Sequence, residues 1–117
     1  GPISDADKWW LLERAAVVAV PSLIEGFGIV ALEGILVGSP VLVADAAALP
    51  EVVGDSRAVL PPDDHEAWCR RIRDTVTDPL LRSSIVEKES SILQRHTEAS
   101  VVADLLAIYQ GLVGPVR

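Results

Sequence analysis

Residues 22–38 read SLIEGFGIVALEGILVG, and the rest of the chain is organised around this stretch. Gly26 and Gly28 make a tight turn. Beyond it Ile29, Val30, Ala31, Leu32, Ile35, Leu36 and Val37 make the pattern apolar on every side. A helix that is apolar all round belongs in a core. Glu33 is the one ionisable residue within it, and a carboxylate withdrawn from water is costly enough to require a partner. Gly38 stands where a helix ends in left-handed backbone.

The flanks of this helix read as strands. Ala15–Val20 is a short apolar run closed by Pro21, and Pro40–Ala44 is a second one ending at Asp45. Runs of this kind suit strands buried on both faces of a parallel sheet. Residues 46–56 form a loop with one helical turn from Pro50, and Arg57–Leu60 is a third strand closed by Pro61-Pro62. Strand, helix and strand in such close succession predict an α/β fold with right-handed crossovers. In front, Ser4-Asp5-Ala6-Asp7 resembles a capped helix start with Trp9, Leu12 and Ala16 as its apolar stripe. After Pro62 the strands stop. Asp63 with Glu66 caps a helix striped by Trp68, Ile72, Thr75 and Val76. Asp78-Pro79 opens another, to about Arg95, with Leu81, Ile85 and Ile92 inward and Lys88 and Glu89 outward. Thr97 caps the last helix, striped by Val102, Leu105, Leu106 and Tyr109.

The expectation is one unit over residues 1–117. It is an α/β, partial Rossmann-like parallel sheet of about three strands, with helices on both faces and an all-helical portion over 62–117. Three strands are few for this plan, and a helix comes first, so the segment reads as the later half of a doubly wound domain. Its first strand is then an open edge, which invites self-association.

With 117 residues, half of them hydrophobic, the chain is sized for one domain with a packed core. A net charge of −7 argues against a nucleic-acid partner, which needs clustered Lys and Arg. The single cysteine, Cys69, excludes an internal disulfide and reads as a buried structural thiol. No apolar run reaches the roughly 20 residues of a membrane span. The location reads as cytoplasmic, with peripheral contact at the inner membrane face left open. His65 and His96 fall beside helix caps and read as solvated, and Trp9, Trp10 and Trp68 as packing residues.

The glycine turn admits three readings. Gly26-Phe27-Gly28-Ile29-Val30-Ala31 matches the dinucleotide-binding fingerprint, with Asp45 beyond the next strand. Against that oxidoreductase reading, Pro21–Glu25 intervenes between strand and first glycine, whereas the fingerprint puts that glycine in the turn leaving the strand. In the second reading the glycines only permit positive φ, and Glu33 meets a core donor or solvent. In the third, a helix opening near Gly28 offers free N–H groups and a positive dipole end to a phosphate. Glu33, about 8 Å further along at 1.5 Å per residue, then accepts from two ribose hydroxyls. Glu25, ahead of the helix, holds another polyol. Two hydroxyl-gripping carboxylates around an anion site describe a nucleotide-sugar pocket.

The residues that compose this pocket carry a resemblance. EGFGIVALE, with Glu25 and Glu33 in E-x7-E spacing, resembles the signature of the retaining glycosyltransferases of family 4, on the GT-B fold. GSPVLVADAAALPEVVGD is similar to that family's G-x-P-V-[VI]-x-[ST]-x-x-G-G-x-P-E-[VI]-[VI], with Ala47 and Ala48 in place of the glycine pair. RAVLPPDDHEAW, DPLLR and the opening Gly1-Pro2-Ile3-Ser4-Asp5 extend the likeness over roughly residues 1 to 110. The resemblance implies the later part of a donor-binding domain that takes a nucleoside-diphosphate sugar and needs no metal or other cofactor. By it, Glu25, Gly26, Phe27 and Gly28 contact the transferred sugar, Gly28 and Ile29 the diphosphate, and Glu33 the ribose. No catalytic residue is assigned within the chain. A non-catalytic nucleotide or nucleotide-sugar binding module is the alternative.

Charge limits what these residues do alone. Residues 15–56 contain no Lys or Arg but five acids, Glu25, Glu33, Asp45, Glu51 and Asp55. A helix N-terminus supplies only about half a positive charge. The expectation is that cations for the diphosphate come from an N-terminal remainder of the enzyme, and that this chain by itself is inactive.

Overall fold

A computed structural model describes residues 3–23, 28–95 and 100–113. Helix α1 spans Asp5–Arg14 and begins where Ser4 accepts a hydrogen bond from the Asp7 N–H. It leads into β1, Val18–Val20, and then α2, Ile29–Leu36, and β2, Val41–Ala44. Next come α3, Leu49–Val53, a 3-10 turn at Ser56–Ala58, and β3, Val59–Leu60. The chain continues as three helices, α4 (His65–Thr77), α5 (Pro79–Arg95) and α6 (Ser100–Val113). The strands form a parallel sheet in the order β1-β2-β3. Val18 lies opposite Val41 and Val20 opposite Val43, and Val43 lies opposite Val59. The expected α/β architecture is present, with helices flanking the sheet and nothing but helices described after residue 64.

Every residue of β2 is buried, so helices cover both faces of the central strand. β1 differs from expectation. Ala19 is exposed between buried Val18 and Val20, because β1 is an edge strand and pairs only with β2 among the described residues. All three strands are shorter than their apolar runs. Ala15 closes α1, while Pro40 has no N–H to give and instead accepts from Val18 through its carbonyl. Arg57 is drawn into the 3-10 turn by Asp55, which accepts from its backbone N–H and its guanidinium.

Helix α2 ends as expected at Gly38, in a double hydrogen-bonded cap. Gly38 N–H donates to the Ile35 carbonyl, and Ser39 N–H to that of Gly34. Midway along α2, Gly34 lets the helix lie directly on the sheet. A Cβ there would stand 2.7 Å from Val41 Cγ2 and 3.4 Å from Val18 Cγ2. Helix α2 is not buried all round, since Val30 is exposed.

The later helices bring further corrections. Asp64 caps α4 by accepting from Ala67, in place of the Asp63 expectation, and Val76 points outward while Trp68 and Thr75 are buried. Asp78 caps α5 as expected, accepting from Leu80 and Leu81. Cys69 is exposed and not a core thiol. Leu106 on α6 is also exposed. Trp9 and Trp68 pack inside, Trp68 donating through its indole N–H to the Pro61 carbonyl. Trp10 does not pack inside: it is exposed, with the Arg14 guanidinium 4.6 Å from its ring centroid. His65 is solvated at the start of α4. His96 and Thr97 lie outside the described residues. Among the described residues no helix is long and apolar enough to cross a membrane.

Candidate functional site at the carboxyl edge of the sheet

Parallel strands bring their carboxyl ends to one edge, and in open α/β sheets that edge is where ligands bind. The chain leaves β1 at Val20 and returns in α2 at Ile29. Gly28 caps α2 with φ +65° and ψ 43°, left-handed backbone that side chains rarely adopt. The space beside its Cα is filled by α3, which follows β2: a Cβ at Gly28 would meet Leu49 Cδ2 at 3.1 Å and Val52 Cγ2 at 3.3 Å. A glycine is required here by conformation and by packing together. It seats the start of α2 against the segment leaving the central strand, on the carboxyl edge.

The first intrahelical bond of α2 runs from Leu32 N–H to the Gly28 carbonyl. The N–H groups of Ile29, Val30 and Ala31 therefore have no acceptor within the helix, and no side chain caps them among the described residues. This is the helix end at which the glycine turn leads one to expect an anion. Of the expected sugar-side residues, Glu25, Gly26 and Phe27 lie outside the described residues.

Glu33 is 2% exposed. Its Oε2 lies 3.0 Å from Lys8 Nζ, an ion-pair approach without the angle of a hydrogen bond. The same ammonium is 3.7 Å from Asp5 Oδ1 and 5.5 Å from the centroid of the Trp9 ring. Trp9 anchors α1 under α6 by edge-on contact with Tyr109, whose hydroxyl donates to Glu13. That hydrogen bond is the chief reason the phenol is pushed above its ordinary range. The partner that Glu33 demands is thus a lysine on the preceding helix. The sequence carried a usable signal: Lys8 and Arg14 are the only cations before Arg57. Arg14 is engaged with Glu13 and Trp10, which leaves Lys8.

Asp45 sits at the end of β2, its N–H donating to the Leu60 carbonyl, and its side chain is exposed. Glu51 occupies the first turn of α3 with its side chain exposed. Ala47 holds φ +50°, left-handed backbone that a residue with a side chain rarely adopts.

A second ionisable cluster, unforeseen in the sequence, lies at the opposite edge. Glu89 was expected to face solvent, yet it is 1% exposed and accepts from the Val41 N–H at 2.9 Å. Position 89 falls on the side of α5 that meets the sheet. Burial pushes its carboxyl up to about 8; the bond from Val41 and nearby Arg57 pull it down, and Asp55 adds to the rise. Burial also raises Asp55, but the hydrogen bonds and charge of Arg57 outweigh it and hold Asp55 below the usual carboxylate range. Arg57 reaches Asp55 Oδ2 at 2.7 Å and Ser84 Oγ at 2.8 Å. A shallow cleft of about 300 Å³ lies beside this cluster, lined by Arg57, Ser84, Glu87, Lys88 and Ser91. Its groups tie α5 to the amino end of β2.

Comparison with known proteins identifies the family of the chain. Residues 1–91 match the family described as glycosyl transferases group 1. The chain is 37% identical over 78 residues to the O-antigen chain mannosyltransferase B of Escherichia coli, covering 67% of this chain and 20% of that protein. It is 33% identical over 120 residues to the MMP alpha-(1->4)-mannosyltransferase of Mycolicibacterium hassiacum, covering 97% of this chain and 29% of that protein. To the D-inositol 3-phosphate glycosyltransferase of Streptomyces avermitilis it is 34% identical over 96 residues, 78% of this chain and 21% of that protein. The chain thus spans between a fifth and a third of the length of these curated relatives.

Proposed function

This chain belongs to the group 1 glycosyl transferases, and from that premise we propose that it is the donor-binding part of a retaining family 4 enzyme of the GT-B fold. The reaction is transfer of a hexose from a nucleoside-diphosphate sugar to an acceptor, with no metal and no further cofactor. The observation that carries the reading is a single helix that joins two recognition elements. Its N-terminus presents three N–H groups that have no acceptor among the described residues, at the carboxyl edge of the sheet, and its only ionisable residue, Glu33, is buried five positions beyond Gly28. A dinucleotide site is disfavoured because β1 ends at Val20, well short of Gly26.

In this reading Gly28 and Ile29 receive the diphosphate, Glu33 accepts from the ribose hydroxyls, and Glu25 with Gly26 and Phe27 holds the transferred sugar. Glu25 positions the sugar and is not the nucleophile. The developing charge on the leaving diphosphate is met by the α2 dipole and by cations supplied from outside residues 15–56. The purified 117-residue chain accordingly shows no sugar transfer in a radiolabelled-donor assay, and turnover by it would overturn this part of the proposal.

The site assignment is tested in the full-length protein by calorimetry with UDP, GDP and ADP, beside steady-state kinetics. Glu33→Gln weakens the nucleotide that binds by about tenfold, the value of a hydrogen bond to a charged group. Glu25→Gln leaves free nucleotide affinity within about twofold but lowers kcat by about a hundredfold, because its contact matters at the reacting sugar. Negligible effects from both substitutions would refute the assignment. Nucleotide binding without any transfer would favour the binding-module alternative.

A further inference from the structure

We propose that Lys8 is the positioning residue of the ribose grip: it holds Glu33 Oε2 so that Oε1 is presented to the ribose hydroxyls. The inference rests on the assignment of Glu33 to the ribose. It names a residue that lies outside the E-x7-E signature, on a different helix.

Three observations support it. Glu33 has a side chain 3% exposed, so its orientation is set by what it touches and not by solvent. What it touches is an ammonium 3.0 Å from Oε2. An ammonium is a compact point charge that needs just one oxygen, whereas a guanidinium fork would take both. Lys8 is itself fixed from other sides. Asp5 lies 3.7 Å from its Nζ, and the Trp9 ring beneath it is wedged against Tyr109. Its side chain remains 37% exposed, so the pair sits at the boundary between core and solvent. There a ribose arriving from outside meets a carboxylate already compensated for burial. Without Lys8 the same carboxylate is an uncompensated charge in the core. It then relaxes away from the geometry that two neighbouring hydroxyls require.

The alternative is that Lys8 only ties α1 to α2. The two are separated by comparing a ribonucleotide with its 2′,3′-dideoxy form, which lacks the hydroxyls Glu33 is assigned to bind. The test uses the full-length protein, calorimetry with whichever of UDP, GDP and ADP binds, and the dideoxy counterpart of that nucleotide. Wild type prefers the ribose form by about tenfold or more. Lys8→Met loses most of that preference by weakening the ribose form alone, and binds the dideoxy form as wild type does. The double variant Lys8→Met/Glu33→Gln contains no uncompensated charge and so remains a folded control. It binds the ribose form as weakly as Glu33→Gln alone and no more weakly, since both changes remove one interaction.

If Glu33→Gln leaves the ribose preference intact, the ribose reading itself fails, and this inference with it. If Glu33→Gln abolishes the preference and Lys8→Met does not, only the inference about Lys8 fails. Equal weakening of both nucleotide forms by Lys8→Met, or a double variant weaker than Glu33→Gln, also overturns it by showing that Lys8 acts on its own account.

Discussion

Glu33 and Glu89 are both carboxylates that folding removes from water, and the chain resolves them in opposite ways. Glu33 receives a cation at 3.0 Å. Glu89 receives only a backbone N–H, its Oε2 has no hydrogen-bond partner among the described residues, and burial pushes it up to about 8. The folded state therefore keeps the Glu89 proton up to about pH 8, while the unfolded chain releases it near 4.5. Between those values the native state binds the extra proton, so stability is full below about pH 4.5 and declines as the pH rises toward 8. Glu89→Gln, neutral throughout, should flatten that decline and raise stability at pH 8 by on the order of a few kcal/mol. Urea unfolding at pH 5 and pH 8 measures it, and an unchanged pH slope in the variant would contradict it. Asp55 acts outside this window. Its carboxyl is held below 3.8, so its contribution is lost only as the pH falls further. Glu33 was legible in the sequence because it is the single charge in an apolar helix. Glu89 was not. It stands in Glu87-Lys88-Glu89-Ser90-Ser91, which has the composition of a solvated face, and its acceptor role depends on Val41, 48 residues away.

At the scale of elements, α2 is set by backbone contact as much as by side chains. The approach at Gly34 leaves no room for a methyl group, since the nearest atom, Val41 Cγ2, would be 2.7 Å away in a fully buried strand. Gly34→Ala gains about 1 kcal/mol of helix propensity but forces α2 off the sheet, an overpacking cost of about 1–3 kcal/mol. Strain should win, because Val41 is enclosed and tethered to Glu89 and cannot retreat. A lower urea midpoint with an unchanged slope is the expected result; a stabilised variant would mean that α2 is free to shift. Existence and type of these elements could be read from the sequence, since β-branched runs, helical stripes and proline stops are local signals. Their ends could not. β1 and β3 lose residues to Ala15, which closes α1, and to the Asp55–Arg57 turn, both decided by hydrogen bonds that no periodicity records. Likewise nothing local distinguishes the exposed Trp10 from the buried Trp9: their order around α1 depends on where α6 lies.

For the whole molecule, the sheet has a buried centre and, among the described residues, open sides at β1 and β3. β1 pairs only with β2 among the described residues, and its other edge is unpaired, with Ala19 exposed. An unpaired edge is a template for another chain. The 117-residue chain should therefore self-associate at high concentration, read as a concentration-dependent mass by sedimentation; a strict monomer throughout would oppose it. The net charge of −7 works against such association, so added salt should strengthen it by screening. The Glu89–Val41 hydrogen bond has one more consequence, for the alignment of the entire sheet. Val41–Ala44 is apolar on both faces and so is the buried Pro40 before it, so sliding the strand by one residue to seat Pro40–Val43 would bury an equally apolar set, and burial alone does not forbid it. The carboxylate on α5 removes the ambiguity. Slid that way, it faces the nitrogen of Pro40, which has no proton to give. A residue far along the chain thus acts as an indexing pin that stops the central strand at one notch.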